Sequence, residues 1–180
     1  RRLKTLYRLA LEYRNLGSLA LSLADYYQLR TRHNVLCAAL RGRFLVSRLP
    51  NGLRAIVLSE PRYLRAYVAV FDEIYIMRVY EKLSDFVPRE GDVVLDLGAF
   101  IGLYTLKHFR AGKIIAVEPH PVSYALLLVN TKLNKLDNVN CLNYAVWCHS
   151  AVMPLYEEDL LVSSWTLMPE WHGGLHSKHY

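Results

Sequence analysis

Val93-Val94-Leu95-Asp96-Leu97-Gly98-Ala99-Phe100-Ile101-Gly102 is followed, about twenty residues on, by Ile114-Ile115-Ala116-Val117-Glu118. The first run reads as a strand, a glycine turn and the start of a helix. The second reads as another strand that ends in a carboxylate. A parallel strand buried on both faces is an apolar run rather than an alternation. Val93 to Leu97 fits that pattern, with Gly91-Asp92 as the turn before it. Gly98 can take a backbone conformation closed to other residues. Gly102 lacks a Cβ, so the next helix starts close to the strand and to a ligand; Leu103, Tyr104, Leu106 and Lys107 continue it. Strand, turn, helix and acid-ended strand in this order predict a doubly wound α/β domain that holds an adenosine-bearing cofactor.

The glycine spacing selects the cofactor. A dinucleotide turn is G-x-G-x-x-G, and its middle glycine admits the pyrophosphate. Here the spacing is G-x-x-x-G, Phe100 fills the middle position, and Asp96 adds negative charge. A pyrophosphate would meet repulsion. S-adenosylmethionine (SAM) has no phosphate and carries an ammonium and a sulfonium, so an acidic turn suits it and disfavours NAD. Glu118 closes the second strand, and Pro119 prevents the strand from continuing. A carboxylate there can accept both ribose hydroxyls, which SAM and NAD share. Either element alone would also suit an α/β domain with an ordinary glycine turn and a surface glutamate.

From about Phe71 to about Tyr156 the chain resembles the FkbM-type family of SAM-dependent methyltransferases. The matching stretches are Phe71-Asp72-Glu73-Ile74-Tyr75 with Tyr80, then Pro88 to Ala99, then Ala116-Val117-Glu118-Pro119-His120-Pro121, then Asn143-Tyr144-Ala145-Val146. Family members usually carry Asn after the Gly-Ala pair, where this chain has Phe100. The resemblance implies that Asp96, Gly98, Ala99 and Gly102 line the methionine end of SAM. It implies that Glu118 holds the ribose and that Asn143 and Ala145, at the end of the third strand, lie near the adenine. It also implies an oxygen acceptor on a small molecule or sugar. Methyl transfer to an alcohol needs a proton acceptor, and no residue is assigned that role. Family position puts Glu73 and Tyr80 over the SAM pocket.

The expected fold is therefore a Rossmann-like SAM-methyltransferase sheet, parallel strands with flanking helices, carrying an N-terminal helical and β-hairpin appendage. Residues 1–65 form the appendage and 66–180 the SAM-binding domain. At 180 residues and 53% hydrophobic, the chain is large enough to bury a substantial core. Its net charge of +6 is uneven. Residues 1–65 hold 13 Lys/Arg against 3 Asp/Glu, a net of +10, and residues 66–180 hold 9 against 13, a net of −4. The basic region could grip nucleic acid or an acidic membrane. It lacks interleaved aromatic and basic residues, so a solvated face on helices over 2–14 and 19–32 is the preferred reading. Cys37, Cys141 and Cys148 lack metal-ligand spacing and read as free thiols of a cytosolic protein. The most apolar region, Leu16 to Tyr27, is too short and too polar to span a bilayer.

Further along, Phe44–Ser47 and Leu53–Leu58 read as strands joined across Pro50-Asn51-Gly52. Residues 72–85 read as a helix with Ile74, Tyr75, Val79 and Leu83 on one face. A helix starts at Pro121 and ends near Asn134. The third parallel strand is expected over 140–146 and an antiparallel one over 152–156; 169–180 reads as loop. His172, His176 and His179 lie close together, but Gly173-Gly174 argues against a helical metal site. In the resembled class the sheet order is 3-2-1-4-5-7-6, and this sequence supplies 3-2-1. The expectation is a truncated sequence or half of a split domain. An RNA methyltransferase and a non-catalytic SAM-binding protein are the alternative functions.

Overall fold

The computed structural model describes residues 38–40, 44–158, 165–167 and 176–179. The expected N-terminal helices, Cys37 and His172 lie outside the described residues. Strands β1 (Ala38–Leu40), β2 (Phe44–Arg48) and β3 (Arg54–Leu58) form an antiparallel sheet in that order. Gly52 closes the hairpin at φ +86°, and its N–H donates to the Leu49 carbonyl. Helix α1 (Pro61–Phe71) follows, with Pro61 in its first turn, where a missing N–H costs nothing. Tyr63, Leu64, Tyr67, Val68 and Phe71 recur at helical spacing and are buried.

The helix expected over 72–85 does not form. After α1 the chain makes one π-helical stretch, Asp72–Ile76, and then short 3-10 turns at Val79–Glu81 and Ser84–Phe86. Arg78 adopts φ +51°, which interrupts any continuous helix. Val79 and Leu83, read as part of its apolar face, are exposed. The helical signal lay one segment upstream.

The central sheet is parallel. Strands β4 (Val93–Leu97), β5 (Lys113–Val117) and β6 (Val139–Leu142) lie side by side in that order. Helix α2 (Leu103–Lys107) connects the first pair and α3 (Pro121–Leu133) the second. This α/β arrangement is the Rossmann-like one expected. Two details differ. First, β4 is not covered on both faces: Val94 and Asp96 are buried, whereas Val93, Leu95 and Leu97 are 69%, 59% and 51% exposed. The buried face packs Val94 with Ala111, Ile114 and Tyr104. Among the described residues β4 pairs with β5 alone and lies at the sheet edge. Second, β6 ends at Leu142 rather than Val146.

A small antiparallel sheet is built from β7 (Tyr156–Glu158), β8 (Trp165–Thr166) and β9 (His176–His179). The strand expected over 152–156 starts only at Tyr156, and Val152 is fully exposed. Residues 176–179, expected as loop, form β9 because they find a distant partner. In the register Glu157 pairs with Lys178 and Glu158 with His176. No helix among the described residues is long and apolar enough to cross a membrane.

One cluster joins the hairpin and α1 to the central turn. It includes Leu45, Ala55, Val57, Leu64, Tyr67 and Phe71 together with Phe100, Ile101, Leu103 and Leu106. The loop after β4 is thus packed from behind by the N-terminal elements, which fixes the site.

Candidate functional site

The turn after β4 is pinned to the end of β5. Gly98 and Ala99 both donate their N–H to the Val117 carbonyl, at 2.9 and 3.0 Å. Gly98 sits at φ +76°, and a Cβ added there would meet nothing within 4 Å. Phe100 also has positive φ, +50°, which is uncommon for a bulky residue. Two contacts hold it. Its N–H donates to Glu118 Oε2 at 2.8 Å, and its ring stacks on Tyr63 of α1 with centroids 6.3 Å apart. The Phe100 ring, which stands where the FkbM-type sequences usually have Asn, therefore lies in the core.

Gly102 sits at φ +90°, where a Cβ would fall 2.7 Å from Leu127 Cδ1 of α3. Its close approach is to that helix, and it lines neither of the cavities described below. Gly102→Ala is expected to cost about 1–3 kcal/mol from backbone strain and the clash. Gly98→Ala, which meets no atom, should cost only about 1 kcal/mol. Urea melts of the two variants test this, and equal losses would refute the contact with Leu127 as the cause.

Two carboxylates lie behind the turn. Asp96 is buried and accepts the Thr105 hydroxyl at 2.6 Å; burial raises its pKa, against the Thr105 hydrogen bonds. Glu118 is 4% exposed and accepts the N–H groups of Phe100 (2.8 Å) and His120 (2.9 Å) on separate oxygens. Burial pushes its pKa up to about 7, with the two backbone donors opposing and Asp96 adding to the rise. Asn143 leaves the sheet after β6, and its amide donates to the carbonyls of Glu118 (2.8 Å) and Pro119 (3.0 Å). That hydrogen bonding replaces the ladder the sequence predicted there.

Two cavities are lined by residues that the sequence singled out. The first, of about 520 Å³, is lined by Asp96, Gly98 and Ala99 together with Glu73, Tyr80 and Tyr104. The second, of about 720 Å³, is lined by Asn143 and Ala145 with Pro119, Pro121, Tyr144 and Trp147. The structure thus brings Asp96, Gly98 and Ala99 together with the Glu73 and Tyr80 that family position put nearby. Asn143 and Ala145 stand apart, in the second cavity with Pro119 and Pro121. Glu118 supports the turn and lines neither cavity. Ala69 and Val70 of α1 and Tyr104 of α2 complete the first wall. Sequence reasoning missed Ala69 and Val70 because it did not place α1, for which Pro61 followed by Tyr63, Leu64 and Tyr67 was the available signal; Tyr104 was read only as a helix residue.

The first cavity suits a cationic, phosphate-free cofactor. Its lining carries two carboxylates and no Lys, Arg or His, and the open space beside Gly98 leaves room for a ligand. A pyrophosphate would be repelled.

The sequence model of the TRM5/TYW2 methyltransferase domain matches residues 76–146. A tRNA(Phe) (4-demethylwyosine(37)-C(7)) aminocarboxypropyltransferase of Methanocaldococcus jannaschii is 40% identical over 61 residues, 32% of this chain and 24% of that protein. A tRNA (guanine(37)-N(1))-methyltransferase of Anopheles darlingi is 38% identical over 66 residues, 36% of this chain and 13% of that one. The methyltransferase sdnD of Sordaria araneosa is 34% identical over 105 residues, 56% of this chain and 39% of that one. The chain spans well under half the length of each.

The matches bear out an enzyme domain of the SAM-dependent, class I Rossmann-like type. They correct two finer expectations. The matching family is TRM5/TYW2 and not the FkbM type. The small-molecule or sugar acceptor is overturned, since two of the relatives are by name tRNA-modifying enzymes. The physical reason is that the Gly-Asp-x-Val-x-Asp-x-Gly-Ala and Glu-Pro-x-Pro strings shape the cofactor turn. They say nothing of the acceptor.

Proposed function

We propose that the chain carries the cofactor site of a SAM-dependent tRNA methyltransferase of the TRM5/TYW2 type. The observation that carries this reading is the acidic cavity at Asp96, Gly98 and Ala99, which lie inside the matched segment 76–146. Asp96, Gly98 and Ala99 face the methionine end of SAM, with Gly102 fixing α2 behind them. Glu118 shapes the ribose end of the site from behind the turn, through its bonds to the Phe100 and His120 N–H groups, and Asn143 and Ala145, in the second cavity, border the adenine. Residues 66–180 form this domain. The 1–65 region, with its net charge of +10, grips tRNA phosphates, in keeping with a cytoplasmic protein.

Bound there, SAM supplies an electrophilic methyl on a sulfonium, and displacement at that carbon depends on alignment more than on chemistry from the protein. The residues of the chain orient the cofactor: Asp96 is locked by Thr105, and the turn is locked by Val117 and Glu118. A second reading has a specific observation in its favour, the 40% identity to an aminocarboxypropyltransferase. The same cofactor would then donate its aminocarboxypropyl group instead of its methyl, with methylthioadenosine as the leaving group.

Calorimetric titration of the full chain with SAM and with NAD tests the cofactor, and binding of SAM alone is the expected result. Incubation with unmodified tRNA and SAM labelled either on the methyl or on the carboxyl carbon tests the transfer. Methyl label in tRNA supports methylation, and carboxyl label supports the second reading. tRNA affinity should fall steeply between about 50 and 200 mM salt. A folded chain that binds NAD, or neither cofactor, overturns the proposal.

A further inference from the structure

The first cavity has a chemical asymmetry that the turn itself does not explain. Glu73, on the π-helical stretch after α1, lines it together with Asp96, and among the described residues no cation pairs with either carboxylate. The nearby cations are gathered elsewhere. Lys107 and Arg78 both reach the carboxylate of Glu81, whose side chain is 3% exposed, and His108 lies 3.2 Å from it. Lys107 also donates to the Ile74 carbonyl at 2.6 Å. The same cavity is lined by two aromatic rings, Tyr80 and Tyr104, in edge-to-face contact with centroids 5.5 Å apart. Both carboxylates act on Tyr80: burial, then Glu73, then Asp96 raise its phenol pKa.

Electron-rich ring faces beside uncompensated carboxylates are the chemistry that recognises an organic cation. We propose that Glu73, Tyr80 and Tyr104 form with Asp96 a cage that distinguishes the sulfonium of SAM from the neutral thioether left after methyl transfer. The inference rests on the SAM reading above and assigns Glu73 and Tyr80 as specificity-determining residues. The charge lost in the reaction is then also the signal for product release: the thioether has no attraction for the cage and leaves.

The test is calorimetric titration of the full chain with SAM and with S-adenosylhomocysteine. Wild type is expected to prefer SAM. Glu73→Gln and Tyr80→Leu should each weaken SAM about tenfold, the effect of 1.4 kcal/mol, and leave the thioether unchanged. Tyr80→Phe, which keeps the ring, should keep the preference. If Glu73→Gln weakens both ligands equally, or neither, the cage is refuted while the cofactor assignment stands. If the folded wild type binds neither ligand, the cofactor assignment fails and the cage with it.

Discussion

Glu118→Ala is expected to abolish SAM binding and to destabilise the chain by about 2–6 kcal/mol. The stability loss follows from two buried donors. The N–H groups of Phe100 and His120 both end on this carboxylate, and each buried donor left unpaired costs about 1–3 kcal/mol. Phe100 is also held at positive φ by that bond, so the turn loses its shape as well as its hydrogen bond. The binding loss follows from the turn: without these bonds Gly98 and Ala99, which line the first cavity, lose their fixed place. Urea unfolding and calorimetry separate the two roles. Lost binding at unchanged stability would mean that Glu118 touches only the ligand. Lost stability at unchanged affinity would mean that it serves only the turn.

The same carboxylate sets a pH dependence. Burial holds its folded pKa at about 7, above the ordinary value of 4.5. Between those values the folded chain keeps a proton that the unfolded chain releases. The associated stability is complete below pH 4.5 and is lost as pH rises through 7, by up to about 3 kcal/mol. Burial raises Asp96 in the same direction. Glu118→Gln should flatten the slope of stability between pH 5 and 7, and an unchanged slope would exclude Glu118 as its source.

The parts of this fold written in local pattern were legible, and the parts written in distant pairing were not. Val93–Leu97 and Lys113–Val117 announce themselves as apolar runs around glycine and acid, and Pro121 marks the start of α3. The hairpin across Asn51-Gly52 follows from turn chemistry. The segment after Phe71 misled because Ile74, Tyr75, Val79 and Leu83 have helical spacing, whereas Arg78 turns the chain away. His176–His179 becomes a strand only by meeting Glu157 and Glu158. At the site, Asp96, Gly98 and Glu118 were readable from strand ends. Tyr104 was read as a helix residue, and its place on the cavity wall depends on how α2 packs. The acceptor was not legible, because the motifs that stand out encode the cofactor turn.

Asn130, which no sequence pattern singled out, carries the other large effect. It is fully buried on α3. Its Oδ1 accepts the Ile56 N–H at 2.6 Å, and its Nδ2 donates to the carbonyls of Ile56 (3.2 Å) and Ile101 (2.9 Å). One turn later Asn134 does the same for Arg54: it accepts the N–H at 2.9 Å and donates to the carbonyl at 2.6 Å. The geometry explains the pairing. Four residues of helix rise about 6 Å, and two residues of strand span about 6.8 Å, so asparagines at i and i+4 match alternate residues of β3. Their amides stand in for a neighbouring strand and close an edge that would otherwise be open. Asn130→Ala removes three hydrogen bonds and leaves half-buried groups of Ile56 and the buried carbonyl of Ile101 unpaired, so a loss of about 3–5 kcal/mol is expected. Asn134→Ala, nearer the surface, should cost about 1 kcal/mol. Because Ile101 follows Phe100 in the cofactor turn, Asn130→Ala should also weaken SAM, while Asn134→Ala should not. Urea melts and SAM titrations of both variants decide the matter, and a loss under about 1 kcal/mol for Asn130→Ala would show that water replaces the amide at this edge.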